Sequence, residues 1–152
     1  MPNLYHSAKN IYRSKVNFKE VLKTAVAGRK LIRVIAYSIK TEGGEEQAFF
    51  EALTKIGIEV KVKDLQIFPG GMKKGDWDVG LAVDAIELGE KLDAVVLVTG
   101  DGDFAPLVEY LQIKSGCQVE IIAFGRSASN HLKEIADDFI DLGQGLKKYL
   151  IT

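Results

Sequence analysis

Two aspartates separated by a single glycine, Asp101 and Asp103, close an apolar run in "DAVVLVTGDGDFAPLVEYL" (93–111). Carboxylates at the end of a buried strand can cap the next helix, hold a hard cation or transfer protons. Asp103 lies just before Phe104-Ala105-Pro106, the position of an N-cap with proline in the first turn. Nothing local demands Asp101, and Gly102 favours a tight turn that aims both side chains one way. A second acidic group lies in "KKGDWDVGLAVD" (73–84). Asp76 and Asp78 fall at a helix start, where the dipole alone favours carboxylates. Asp84 is harder to assign to solvent, because apolar residues surround it. Hard divalent ions take carboxylates and water, and need only a few protein ligands. Aspartates converging from two sheet-edge loops would suit Mg²⁺ or Mn²⁺ and metal-assisted phosphodiester chemistry.

Other chemistries find less support. The glycines of "PGG" and "TGDGD" do not form G-x-G-x-x-G, so a dinucleotide or mononucleotide site is disfavoured. His6 and His131 are isolated, and one cysteine, Cys117, makes neither a disulfide nor a zinc site. Thr99 just before the turn, and Ser127, Ser129 and Asn130 in "GRSASNH" (125–131), are predicted on the same edge as the aspartates. Lys9, Arg13, Lys73 and Lys74 occur among Tyr5, Tyr12 and Trp77, a mixture of cations and aromatics that suits single-stranded RNA.

These residues need a scaffold, and the hydrophobic pattern supplies one. Segments 30–39, 57–67, 92–100 and 117–125 read as strands, rich in Val and Ile and bounded by Gly or charge. Helical periodicity is predicted over 17–27, 45–56, 78–91 and 104–114. Alternating strands and helices imply crossover connections and a parallel sheet with helices on both faces, its sites at the strands' carboxyl ends. The run Ala94–Val98 fits a strand covered on both sides. In "EVKVKDLQI", Lys61 and Lys63 alternate onto one face, predicted to be wet. Segment 68–78 reads as a Gly-rich basic loop, and the chain opens on a loop and helix with no strand in front.

At 152 residues, with 47% apolar and 27% charged side chains, the composition excludes a disordered or fibrous chain and predicts a single domain over 1–152. No stretch is apolar enough for a membrane helix or a signal peptide, which predicts a cytoplasmic protein. The net charge of −1 conceals +7 over residues 1–74 and −8 over 75–152. That asymmetry suits a protein holding a polyanion on one side and a cation on the other, although charge counts alone favour the simpler account of solvated helix faces.

In order along the chain stand "NLY", "KKGDWDVGLAVDAI", "VVLVTGDGDFAPLVEYL", a following G-x-x-V, and "ASNHLKEIADDFIDL". Together they resemble the NYN domain family, in its LabA-like (DUF88) branch, a Rossmann-like relative of PIN nucleases, over essentially the whole chain. The resemblance implies a three-layer α/β/α domain with a central parallel sheet and an acidic site that binds Mg²⁺ or Mn²⁺ and cuts RNA. It makes Asp78, Asp101 and Asp103 metal ligands and catalytic residues, with Asp84 in support. It puts Thr99 in the Ser/Thr position before the Asp pair, and Asn3 at the asparagine of an N-terminal D-x-x-N-L motif. Thr99, Ser127 and Asn3 would contact water or substrate, while Lys9, Arg13, Lys73 and Lys74 would steer RNA. In the family that motif's aspartate ends the first strand three residues before the asparagine, and counting back from Asn3 leaves the chain. The first strand is therefore expected to be missing, and a homodimer, with strand exchange, is expected to fill its place. The leading expectation is a Mg²⁺/Mn²⁺-dependent endoribonuclease-like hydrolase. The alternative is a catalytically weak or inactive RNA-binding or regulatory protein-interaction module of the same fold.

Overall fold

The computed structural model describes residues 4, 7–40, 47–64, 66–67, 69, 73–74 and 77–151, with backbone alone at 40, 66–67 and 73–74. After a π-helical turn at Ala8–Tyr12 come β1 (Lys15–Val16), α1 (Phe18–Val26), β2 (Ile35–Lys40), α2 (Gln47–Lys55) and β3 (Glu59–Asp64). Then follow β4 (Gln66–Ile67), β5 (Lys73–Lys74), α3 (Asp78–Gly89), β6 (Ala94–Leu97) and α4 (Ala105–Ile113). The chain finishes with β7 (Gln118–Ala123), α5 (Asn130–Ile135), β8 (Asp138–Asp141), α6 (Leu146–Tyr149) and β9 (Leu150–Ile151). Local signals explain several boundaries. Asn17 caps α1 by accepting from Glu20 N at 3.4 Å, and Ala27 and Gly28, both at positive φ, end it.

The fold is mixed α/β with helices flanking a parallel sheet, and the sheet comes in two ladder segments. β2 pairs with β3, and β6, β7 and β8 pair in that order, all parallel. Among the described residues no ladder joins β2 to β6. Helices bridge the two segments instead. On one face Phe18 of α1 packs into the cluster around Phe124 and Ile122 and also into the cluster around Ala36, Leu53 and Ile58. From α3, Leu81, Ala82, Ala85 and Ile86 pack against Leu97, Leu107, Val108 and Leu111, while Asp84 of the same helix reaches Tyr37 and Lys61 of β2 and β3.

Both faces of β6 are covered, Val95 packing into one cluster and Val96 and Val98 into the other, which accounts for its unbroken apolar run. β3 is the contrasting case. As an edge strand it leaves Lys63 and Asp64 exposed, and Val62 as well. Three features depart from the sequence reading. Segment 57–67 divides into β3 and β4, and the basic loop expected at 68–78 contains β5, paired antiparallel with β4. "DFID" at 138–141, outside the four predicted strands, is β8, parallel to β7. The short pair β1–β9 ties residues 15–16 to 150–151.

Candidate metal centre

The acidic turn is built from the end of β6 outward. Thr99 is buried, and its Oγ1 accepts from Asp101 N at 3.2 Å. Asp101 stays extended, at φ −74° and ψ 117°, and its Oδ1 accepts from Asp103 N at 2.9 Å. That bond caps the 3₁₀ turn Gly102–Phe104, which leads into α4 with Pro106 in its first turn. The cap expected at Asp103 is thus made by Asp101. The reason is the intervening 3₁₀ turn, which moves the start of helical structure two residues upstream.

Close approach of a second segment holds this loop down. Ser129 N donates to Gly100 O at 2.9 Å. A Cβ on Gly100 would lie 2.9 Å from the backbone at Ala128 Cα, so glycine is sterically required there, and one on Gly102 would crowd the Ser129 side chain, at 2.9 Å from Oγ. Ser129 itself caps α5 through Leu132 N.

Asp78 arrives from the other side, as the first residue of α3. One carboxylate oxygen from each of Asp78, Asp101 and Asp103 falls within 4.8 Å of the others; Asp78 and Asp101 are half-buried and Asp103 is exposed. Two unit charges at that separation repel by about 3 kcal/mol at an effective dielectric of ~20, and three pairs compound it. An all-oxygen donor set of high negative charge, open on one side, fits a hard divalent cation.

The other expected residues lie elsewhere. Asp84, expected to support the cluster, is not among the three whose oxygens meet. Its Oδ2 accepts from Lys61 Nζ and from Tyr37 OH, each at 2.7 Å. The Lys61 bond, and then that of Tyr37, hold the Asp84 carboxyl below its usual range, while burial and this carboxylate raise the Tyr37 hydroxyl. Thr99 serves the turn through Asp101 N. Ser127 Oγ, exposed, bonds Ser7 Oγ at 2.9 Å. Lys9 and Arg13 are exposed on and just after the π-helical turn. Lys73 and Lys74 form β5, and Asn3 lies outside the described residues.

Trp77, read from the sequence as an RNA-stacking aromatic, is engaged within the protein. Its ring lies 5.5 Å from that of Tyr37, with Lys63 Nζ 5.3 Å from the ring centroid. Tyr37 was not singled out in the sequence, and Lys61, expected on a wet face, is half-buried and paired with Asp84; alternation along a strand says nothing of the helix it meets.

With this geometry in place, comparison with known proteins assigns the class. The NYN domain matches residues 1–143, and the chain belongs to that family. Its relatives include the low amplitude and bright protein LabA of Synechococcus elongatus, 24% identical over 119 residues. That match takes in 74% of this chain, and the chain spans only 63% of LabA. A crystal structure of a Vibrio parahaemolyticus protein of unknown function superimposes with a TM-score of 0.89 at 32% identity, over 99% of this chain and 91% of that one. Among the described residues no helix is long and apolar enough to cross a membrane.

Proposed function

We propose that this chain is a single NYN domain over 1–152 that hydrolyses RNA phosphodiester bonds with a Mg²⁺ or Mn²⁺ ion held by Asp78, Asp101 and Asp103. The observation that carries the reading is the convergence of these three carboxylates within 4.8 Å at the end of β6. A bound divalent cation supplies Lewis acidity toward a phosphate and lowers the pKa of water. The chain's own residues do the remainder. Asp101 spends one oxygen on the turn, and that bond keeps its carboxylate from rotating away from Asp78. Thr99 fixes the same turn from beneath. Exposed Asp103 leaves the cluster open to a substrate from solvent. Asp84 acts from outside the cluster, by fastening the helix that carries Asp78. Lys9, Arg13, Lys73 and Lys74 steer single-stranded RNA by charge, with Asn3 and Ser127 as substrate contacts. A buried, free Cys117 thiol suits a reducing cytoplasm.

One observation favours the second reading, a binding or regulatory module. Among the described residues, β2 and β6 carry no ladder between them, and the carboxylates that meet are those of Asp78, Asp101 and Asp103. We propose that a strand from a second copy of the chain pairs along these edges, giving a homodimer.

The test is incubation of labelled single-stranded RNA with Mn²⁺ and either wild type or Asp101→Asn. Cutting by wild type that Asp101→Asn lacks is the expected result. Equal cutting by both overturns the assignment, and binding without cutting selects the module. A monomeric mass by sedimentation overturns the dimer.

A further inference from the structure

Helix α3 brings Asp78 to the cluster, and among the described residues the nearest backbone ladder before it is β4–β5, which ends at Lys74. Its first residue follows Trp77, which offers no side-chain cap. The indole of Trp77 ties this end of the helix to β2. Trp77 Nε1 donates to Ser38 O at 2.9 Å, near the carboxyl end of β2. One turn into the helix, a Cβ on Gly80 would lie 2.7 Å from Trp77 Cε3 and 3.1 Å from Cζ3, so the ring lies against bare backbone that only glycine provides. The Tyr37 ring packs against the indole, and the Tyr37 hydroxyl bonds Asp84 further along the same helix. Two attachments of α3 to the β2–β3 segment therefore converge on one side chain.

We propose that Trp77 is a positioning residue for the carboxylate cluster: locked between Ser38 O, Gly80 and Tyr37, it sets the first turn of α3 and thereby the place of Asp78 against Asp101 and Asp103. This rests on the reading of those three aspartates as a cation site. The two partners of Asp78 belong to a different ladder segment, so a shift of α3 relative to β2 moves one ligand and leaves the other two in place. Misplacement by about 1 Å is enough to damage such a site.

The experiment measures Mn²⁺ binding to the whole chain by the electron paramagnetic resonance signal of free Mn²⁺, alongside thermal unfolding. Wild type binds, and Asp101→Asn binds at least about tenfold more weakly. Trp77→Leu weakens Mn²⁺ by about tenfold, and Trp77→Phe, which keeps a ring and loses the N–H, by less. Gly80→Ala is the second variant, chosen because Ala is the better helix former and would otherwise stabilise α3. It also weakens Mn²⁺ by about tenfold while remaining folded, and adds nothing further in the Trp77→Leu background. Trp77 is the only tryptophan, so its emission reports the same event, quenched by Mn²⁺ in wild type and unquenched in Asp101→Asn. Wild-type affinity in both Trp77→Leu and Gly80→Ala overturns the positioning role alone. No Mn²⁺ binding by wild type overturns both this role and the cation site.

Discussion

The two ladder segments contribute to one acidic cluster in different ways. The β6–β7–β8 segment supplies Asp101 and Asp103 from a loop that continuous backbone ladders, a buried Thr99 and the Gly100–Ser129 contact all restrain. Its core holds Val108, Leu111, Val119, Ile121 and Leu132, each with no exposure. Around β2–β3 the buried core is Ala36, Leu53 and Ile58, with Val62 exposed. Asp78 rides on α3, which packs on the larger core through Leu81, Ala82, Ala85 and Ile86 and is tied to the smaller segment by side-chain bonds, Trp77 to Ser38 O and Asp84 to Lys61 and Tyr37. The difference teaches that a site can be rigid on one wall and adjustable on the other, with cation binding sensitive to the weaker wall.

Four measurements break or sharpen that contrast. The largest effect is expected on the rigid wall's chemistry, where Asp101→Asn lowers Mn²⁺-dependent RNA cleavage by about 100-fold or more, since the ligand's charge is lost while an amide oxygen can still accept from Asp103 N and keep the turn. Next, Leu111→Ala in the larger core costs about 2–5 kcal/mol in urea unfolding, from lost burial plus the cavity. A loss as small as that of an exposed site would erase the difference between the segments. Third, Asp84→Asn removes a charge-assisted tie of the adjustable wall and costs about 1–2 kcal/mol at neutral pH. The sign with pH follows from the lowered Asp84 pKa. The stabilisation is present above the unfolded value of about 3.9 and is lost as pH falls through the folded value, so wild type and Asp84→Asn converge in acid. A gap that persists unchanged at low pH would show that the tie is not electrostatic. Smallest, Val79→Lys on the exposed face of α3 shifts stability by no more than about 0.5 kcal/mol, read by thermal unfolding.

Much of this was legible from residue patterns. The run Ala94–Val98 announced a doubly covered strand, and Asn17 announced the start of α1. The paired aspartates and Asp78 announced an acidic edge. Legibility failed where a local signal had two readings. Asp101 and Asp103 are both competent caps, and only the 3₁₀ turn before α4 decides that Asp101 takes the role. "DFID" is short and half charged, so nothing local marks it as a strand; β7 beside it supplies the pairing. Asp84 in an apolar helix stretch was recognised as unusual, but Lys61 lies 23 residues away and its approach depends on how α3 crosses β3.

By itself, the sequence determined the alternation of strands and helices and the apolar strand that ends in aspartates, because periodicity and propensity are properties of neighbouring residues. Tertiary structure alone decided which carboxylate caps, which pairs with lysine and which three meet, and it gave Trp77 a place in the packing instead of a free face. Those outcomes depend on contacts between segments distant along the chain, whose geometry comes from how helices lie across the sheet.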